Sequence, residues 1–359
     1  MIAGYLTQLF FAALILTVLF TPLMIRWARR WNFLDQPGPR KIHTTPVPYG
    51  GGIVVALASL GIAAASLIHG GAADFSSKLW VAIAGPPGEQ HLEVGIWQIY
   101  GLASLVILLL GLVDDRKKLG PGIKLLVQTL VALGVALWGK RFELFDAPPS
   151  VSIAVTVLWI LAITNSFNLL DHMDGLSTGV ALLAGGSFLI VALQTGQAFI
   201  AVMTVPFLGA LAGFLLFNFP PAKIFLGDAG SLFIGFWLSC LTISFTFYDH
   251  HYRLYTYFVP LAVLAVPLFD TLSVMLIRLL LRTPVFEGDT NHLAHRLTAL
   301  GMSRRASVLT VYALTLATGI SAVLLYHVTQ TGAVLILVQL LLTFGIITLL
   351  ETAGRRHDG

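Results

Sequence analysis

The chain has 359 residues, of which 57% are hydrophobic and 11% are charged, and its formal net charge is +4. An average soluble domain carries about 25% charged residues, so this chain has too little charge to cover a soluble surface. The composition excludes an ordinary soluble enzyme, a disordered chain and a nucleic-acid-binding domain, and it predicts a polytopic membrane protein. The single cysteine, Cys240, excludes an intramolecular disulfide and a multi-cysteine metal site.

Long apolar stretches recur along the chain and predict its architecture. In lipid, a helix satisfies its own backbone hydrogen bonds, whereas an open strand edge cannot. All of these spans should therefore be helical. The first stretch has no basic residue before it and three arginines after it, the reverse of a cleavable signal peptide. We therefore expect an all-α, polytopic integral membrane protein with about 11 transmembrane helices in a single domain over 1–359. The predicted spans are 5–25, 50–68, 97–112, 123–139, 151–168, 176–194, 198–217, 229–246, 256–280, 306–326 and 331–350.

The basic residues divide unevenly between the two sides of these spans. With the N-terminus outside, 17 of the 21 lysines and arginines fall in cytoplasmic segments and 4 fall in external ones. Such an excess is the positive-inside pattern of membrane proteins. It predicts that the N-terminus lies outside and that the C-terminus is cytoplasmic. The longest external loop, near 69–96, is expected to be a connector, and a short hairpin within it is the alternative.

Five aspartates fall at predicted cytoplasmic helix ends, although the chain has only 17 acidic residues. A single carboxylate there is usually a helix cap or a solvated charge. Asp171 and Asp174 are three residues apart, so on a helix they would share a face. Clustered like charges are costly without a cation, and carboxylate oxygens suit Mg²⁺, or alternatively Mn²⁺. The sequence predicts a divalent-cation site among these carboxylates, which are Asp114, Asp115, Asp171, Asp174 and Asp228.

The last long cytoplasmic loop, near 281–305, carries histidine and arginine. If this loop is helical, His292, His295 and Arg296 lie on one face. Next to an acidic metal site, such a face would suit a phosphate group. The alternative is a surface amphipathic turn without a ligand.

Two further polar features stand apart from these clusters. The first cytoplasmic loop, rich in Pro and Gly, adds Lys41 and His43, although basic loops also serve as orientation signals. Asp270 lies within the ninth predicted span. An intramembrane carboxylate is a functional candidate, and a buried structural hydrogen bond is the alternative.

Several motifs occur here in the order found in one membrane enzyme family. They are the Asp114–Asp115 pair, Asn168-Leu-Leu-Asp-His-Met-Asp-Gly-Leu, Phe225-Leu-Gly-Asp-Ala-Gly-Ser, the histidine-bearing loop and Pro46-Val-Pro-Tyr-Gly-Gly-Gly. Together they resemble the polyprenyl-phosphate N-acetylhexosamine-1-phosphate transferases, the glycosyltransferase 4 family, over roughly residues 20–310. His292-Leu-Ala-His-Arg is similar to the WecA/TagO-like branch, from which it departs at Ala294, where that branch has histidine. MraY, a relative of this branch, has three consecutive histidines in this loop.

The resemblance implies a role for each matched residue. The metal ligands would be Asp228 and Asp174. The catalytic residues would be Asp114, Asp115, His292 and His295, with the aspartate pair acting as a base, a positioning group or a covalent nucleophile. The substrate-binding residues would be Asn168, Asp171, Asn218, Phe225, Lys41, His43, Lys118, Lys124 and Arg296. The catalytic loops would lie near 26–49, 112–123, 168–177, 217–229 and 281–305.

The resemblance also implies a reaction and its location. An enzyme of this family would transfer N-acetylhexosamine 1-phosphate, with N-acetylglucosamine (GlcNAc) as the first choice, from a UDP-sugar to undecaprenyl phosphate, with Mg²⁺ as cofactor. UMP would leave, and the lipid-linked sugar would start a cell-envelope polysaccharide. The site would face the cytoplasm at the bacterial inner membrane, with no nucleic-acid partner and with a homodimer left open. The alternatives are an MraY-type phospho-MurNAc-pentapeptide transferase and, from another class, a polytopic transporter.

Overall fold

The computed structural model describes most of the chain as helix. The described residues are 2–37, 45–71, 87–142, 147–245, 247, 254–282 and 291–355. They form two compact units, Met1–Phe245 and Thr246–Gly359. The expectation of a single domain over 1–359 stays a prediction.

Within the described residues, the first unit contains eight helices and a short antiparallel pair of strands. Leu34 of β1 pairs with Pro48 of β2. These elements are α1 (Ile2–Arg30), β1 (Leu34–Asp35), β2 (Val47–Pro48), α2 (Gly51–Gly71), α3 (Pro87–Lys117), α4 (Pro121–Trp138), α5 (Pro149–Leu170), α6 (Leu176–Gln194), α7 (Ala198–Asn218) and α8 (Gly227–Ser244).

Helix α8 lies at the centre of the first unit. It packs against α2, α3 and α5, and 94% of its residues are buried. Glycine makes two of these contacts very close. A Cβ atom at Gly52 of α2 would lie 2.2 Å from the backbone nitrogen of Gly230, and one at Gly111 of α3 would lie 2.4 Å from the Cα of Ala229. Because these contacts involve backbone atoms, α2 and α3 approach the first turn of α8 more closely than any larger residue would allow.

The second unit is also helical. It contains a 3-10 turn (Leu254–Phe258), α9 (Val259–Val263), α10 (Ala265–Leu281), α11 (Leu293–Ala299), α12 (Arg304–Leu324) and α13 (Gln330–Arg355). Its first helical pair is bent by 69° at the break between α9 and α10.

The expectation of one continuous helix over 256–280 is therefore wrong, and proline explains the difference. Pro267 has no N–H to donate to the carbonyl of Val263, four residues earlier, and its ring crowds that carbonyl. A proline fits the first turn of a helix, where the N–H groups have no helical partner. The chain accordingly breaks at Leu264 and starts a new helix just before Pro267.

The described residues otherwise agree with the predicted spans. Ten helices are long and apolar enough to cross a membrane, and the bent pair would make eleven. Helix α3 differs most, because it starts at Pro87, within the segment near 69–96 that was expected to be a connector. Residues 72–86 of that segment lie outside the described residues. The orientation of the two termini stays a prediction.

Candidate active site

The last turn of α3 supplies Asp114, which is buried. Lys124 of α4 donates to Asp114 Oδ2 over 2.6 Å, and the backbone N–H of Leu119 donates to Oδ1 over 2.6 Å. Both oxygens of Asp114 therefore have a partner. This pairing ties the end of α3 to the start of α4, across the short turn between the two helices.

The neighbouring Asp115 caps another helix. Its two carboxylate oxygens accept from the backbone N–H groups of Asp228 and Ala229, over 2.8 and 3.2 Å. These N–H groups lie in the first turn of α8, where no helical acceptor exists, and the helix dipole favours a negative charge there. Gly227, at a φ of +74°, begins α8, and a Cβ at Gly227 would lie 2.7 Å from Asp115 Oδ2. The structure thus places Asp115 as a cap that fixes the start of α8.

Asp228 lies at this helix start and has partners on two other helices. Asn168 of α5 donates to Asp228 Oδ1 over 2.9 Å and contacts Ser231 Oγ at 3.0 Å. Lys124 Nζ lies 3.7 Å from Asp228 Oδ2. The side chain of Asp228 keeps 36% exposure, against 4% for Asp114. Asp228 is therefore held in place and still open to a ligand.

The other two aspartates lie in the turn between α5 and α6. Helix α5 ends at Leu170, so the expectation that Asp171 and Asp174 share a helix face is wrong. Gly175, in the left-handed region with a φ of +72°, allows the chain to reverse into α6 there. Asp174 Oδ2 accepts from the backbone N–H of Ala222 over 2.9 Å, which attaches this turn to the segment before α8.

The carboxylates of this cluster repel each other. The pKa of the Asp171 carboxyl is raised well above its usual range, first by burial and then by the negative charges of Asp228, Asp115 and Asp174. A hard divalent cation would relieve this repulsion, and its ligands of choice are carboxylate oxygens. The donor set therefore fits Mg²⁺, with the half-buried Asp228, the more accessible of the paired carboxylates, as the best-placed ligand.

The segment just before α2 is attached to the segment before α8 by backbone hydrogen bonds. The N–H of Phe225 donates to the carbonyl of Pro48, and the N–H of Gly51 donates back to the carbonyl of Phe225, over 2.8 and 3.0 Å. The rings of Tyr49 and Phe225 meet edge to face, with centroids 6.2 Å apart. Sequence reasoning did not single out Tyr49. Lys41 and His43 lie outside the described residues.

Three more predicted residues have distinct surroundings. Asn218 is buried, accepts a hydrogen bond from Thr178 Oγ1 over 2.9 Å and donates one to the carbonyl of Ile224 over 3.0 Å. It therefore stabilises the loop before α8. Lys118 is exposed, at a φ of +46° just beyond α3. Ser231, the buried partner of Asn168, was missed by sequence reasoning, although it belongs to a motif already singled out.

In the second unit, the predicted histidine and arginine residues lie on a short helix or directly before it. His292 precedes α11 rather than belonging to it, and its Nδ1 lies 2.8 Å from Asp270 Oδ2. The Arg296 guanidinium donates to Ser273 Oγ and, over 2.7 Å, to the carbonyl of Asn291. His292 and Arg296 are buried, whereas His295 is half-buried. The sequence left two interpretations of Asp270 open, a functional role and a buried structural hydrogen bond. In the structure, its carboxylate takes part in buried hydrogen bonds.

Comparison with known proteins identifies the family. The family model for glycosyl transferase family 4 matches residues 97–246. A probable undecaprenyl-phosphate N-acetylglucosaminyl 1-phosphate transferase of Bacillus subtilis is 31% identical over 346 residues, covering 94% of this chain and 90% of its own.

Two further relatives extend the comparison. A decaprenyl-phosphate N-acetylglucosaminephosphotransferase of Mycobacterium tuberculosis is 29% identical, covering 96% of this chain and 89% of its own. A phospho-N-acetylmuramoyl-pentapeptide-transferase of Lactobacillus gasseri is 33% identical, covering 65% of this chain and 74% of its own. The chain therefore belongs to glycosyl transferase family 4, the polyprenyl-phosphate N-acetylhexosamine-1-phosphate transferases that its motifs resemble.

Proposed function

We propose that this protein transfers GlcNAc 1-phosphate from UDP-GlcNAc to undecaprenyl phosphate and releases UMP. The observation that carries the proposal is the joint placement of Asp115, Asp228, Lys124 and Asn168 around the first turn of α8. Such a site combines carboxylates for a cation with an ammonium group for a phosphate. The names of the Bacillus and Mycobacterium relatives, which cover nearly the whole chain, support GlcNAc 1-phosphate as the transferred group.

The reaction is a phosphoryl transfer between two phosphate groups. An oxygen of the lipid phosphate bonds to the β-phosphorus of UDP-GlcNAc, and the bond from that phosphorus to the oxygen of UMP breaks. Catalysis of this kind depends on positioning and on neutralising negative charge. Mg²⁺, held by Asp228 and Asp174, would supply Lewis-acid stabilisation of the charge on the diphosphate.

The residues of this chain would position the two substrates. Lys124, between Asp114 and Asp228, would hold the lipid phosphate, because its ammonium group is already placed beside the carboxylate that takes the metal. A phosphate monoester is mostly ionised at neutral pH, with a second pKa of about 6, so it needs no strong base. Asp115, with both oxygens on backbone N–H groups, would act by fixing the start of α8 rather than by removing a proton.

The location of this site follows from the charge pattern. We infer that the carboxylate cluster faces the cytoplasm, since 17 of 21 basic residues fall on that side of the predicted spans. A cytoplasmic site would give a soluble nucleotide sugar access to the lipid headgroup. Phe225, His292, His295 and Arg296 are proposed to contact the nucleotide and its diphosphate, and the homodimer stays a prediction.

The donor can be tested with one purified preparation. Purified protein is incubated with undecaprenyl phosphate and Mg²⁺, and UMP release is compared between UDP-GlcNAc, UDP-GalNAc and UDP-MurNAc-pentapeptide. We expect UDP-GlcNAc to give the highest kcat/KM. A preference for UDP-MurNAc-pentapeptide would instead support the reaction named for the Lactobacillus relative.

A further inference from the structure

Asp270 forms a small buried polar cluster within the second unit. It lies on α10 with 1% exposure, and its two carboxylate oxygens have different partners. Oδ2 lies 2.8 Å from Nδ1 of His292, and Oδ1 accepts from the backbone N–H of Leu293 over 2.6 Å. One carboxylate thus holds both the side chain of His292 and the start of α11.

A second attachment supports this one. Ser273 lies three residues after Asp270 and shares its face of α10. The Ser273 hydroxyl meets both terminal nitrogens of Arg296, over 3.1 and 3.0 Å. The residues at both ends of the first turn of α11 are therefore bound to one face of α10. These bonds fix the position and orientation of the His292 ring.

The chemistry of the pair determines which ring nitrogen carries hydrogen. A carboxylate only accepts hydrogen bonds, so Nδ1 of His292 must be the donor. A carboxylate on one imidazole nitrogen orients the ring and sets its tautomer, which leaves the lone pair on the other nitrogen. For His292, the lone pair therefore lies on Nε2.

We propose that Asp270 is a positioning residue for His292, whose ring it orients and holds in the Nδ1–H form. This inference rests on the proposed function, because the role of His292 on the diphosphate comes with it. A buried carboxylate within a spanning helix is costly. Simple attachment of α11 needs only one of its oxygens, and the contact to the imidazole is the part that attachment alone leaves unexplained.

The test is the tautomer of His292, measured by ¹⁵N NMR of histidine-labelled protein above the titration range of histidine. His292→Gln identifies the signals of His292 by their disappearance. We expect Nδ1–H in the wild type. In Asp270→Asn, the side-chain amide can donate to Nδ1, so the hydrogen should move to Nε2. A wild-type Nε2–H form, or a tautomer unchanged in Asp270→Asn, would overturn the proposal.

Kinetics supply the second readout on the same proteins. Asp270→Asn should lower kcat for UMP release about 10- to 100-fold, with a much smaller change in KM for UDP-GlcNAc. Thr315→Val, which removes another buried hydroxyl of this unit, is the control and should keep wild-type kinetics. An unchanged kcat in Asp270→Asn would contradict the positioning role. Absence of UMP release by the wild type would refute the proposed function. A change of the His292 tautomer in Asp270→Asn would still support the pairing of Asp270 with His292.

Discussion

Asp228 shows how much of this site depends on one side chain. It receives a hydrogen bond from Asn168, lies near the ammonium group of Lys124, and lies in the first turn of a helix whose first N–H groups are capped by Asp115. Three separate helices therefore fix its position before any substrate arrives. Fixed ligands of this kind lower the reorganisation needed during phosphoryl transfer.

Replacing Asp228 should therefore remove activity without unfolding the protein. Asp228→Asn keeps the size of the side chain and an acceptor for Asn168, and it removes the charge that would hold Mg²⁺. We expect UMP release to fall about 100-fold or more, with little change in the thermal unfolding midpoint.

Glu93→Gln is the matched control for Asp228→Asn. Glu93 also pairs with a lysine, Lys140, over 2.5 Å, and it lies in the first turns of α3, far along the helix from Asp114. This variant should keep wild-type activity, because partly exposed ion pairs contribute about 0–1 kcal/mol. Near-normal UMP release by Asp228→Asn would remove Asp228 from the metal site.

The sequence predicted which residues belong to the site better than it predicted the contacts that those residues make. The scarcity of charge made five aspartates stand out. The structure places Asp228, Asp115 and Asp174 close enough to Asp171 for their negative charges to help raise the pKa of its carboxyl. The cap formed by Asp115 could not be predicted, because it joins positions 113 residues apart. The prediction that Asp171 and Asp174 share a helix face was wrong, because the helix ends before both residues.

At the scale of elements, glycine determines how close α2 and α3 come to α8. Gly52 and Gly111 contact backbone atoms of α8, beside the residues that form the cluster. Membrane helices associate through such small residues, because lipid gives no hydrophobic force between them. The spacing of the helices and the geometry of the site thus share the same cause.

Gly52→Ala should therefore loosen the site. The new methyl group would lie 2.2 Å from the backbone of Gly230, and backbone atoms cannot move aside as a side chain can. We expect a destabilisation of about 1–3 kcal/mol and a lower UMP-release rate, measured by thermal unfolding and by the transferase assay.

Gly61→Ala on the same helix is the control for that experiment. A Cβ at Gly61 meets nothing within 4 Å, so this change should be neutral or stabilise the helix by about 0.5–1 kcal/mol. Equal unfolding midpoints for the two variants would contradict the close-packing account.

The element boundaries show where hydropathy is informative and where it fails. Nearly every predicted span lies on an observed helix, because a long apolar run has only one stable form in lipid. Hydropathy averages over a window, so it did not detect the break at Leu264. Pro267 was the local signal for it.

For the whole molecule, the distribution of charge connects the fold with the function. Only 11% of residues are charged, which predicts a membrane protein, and the same scarcity makes the clustered aspartates conspicuous. The predicted side of the membrane depends on 17 basic residues rather than on any contact within the structure. The rival class, a transporter, would place its charges near the bilayer midplane, whereas those of the cluster lie at the ends of α3 and α5 and the start of α8.

The most direct measurement is the stoichiometry of UMP release by purified protein. With UDP-GlcNAc, Mg²⁺ and undecaprenyl phosphate, we expect one UMP for each lipid-linked GlcNAc diphosphate formed, and no UMP when the lipid or the cation is omitted. Release that continues without the lipid would indicate simple hydrolysis. Solute uptake into proteoliposomes with no UMP release would contradict the transferase account and favour a transporter.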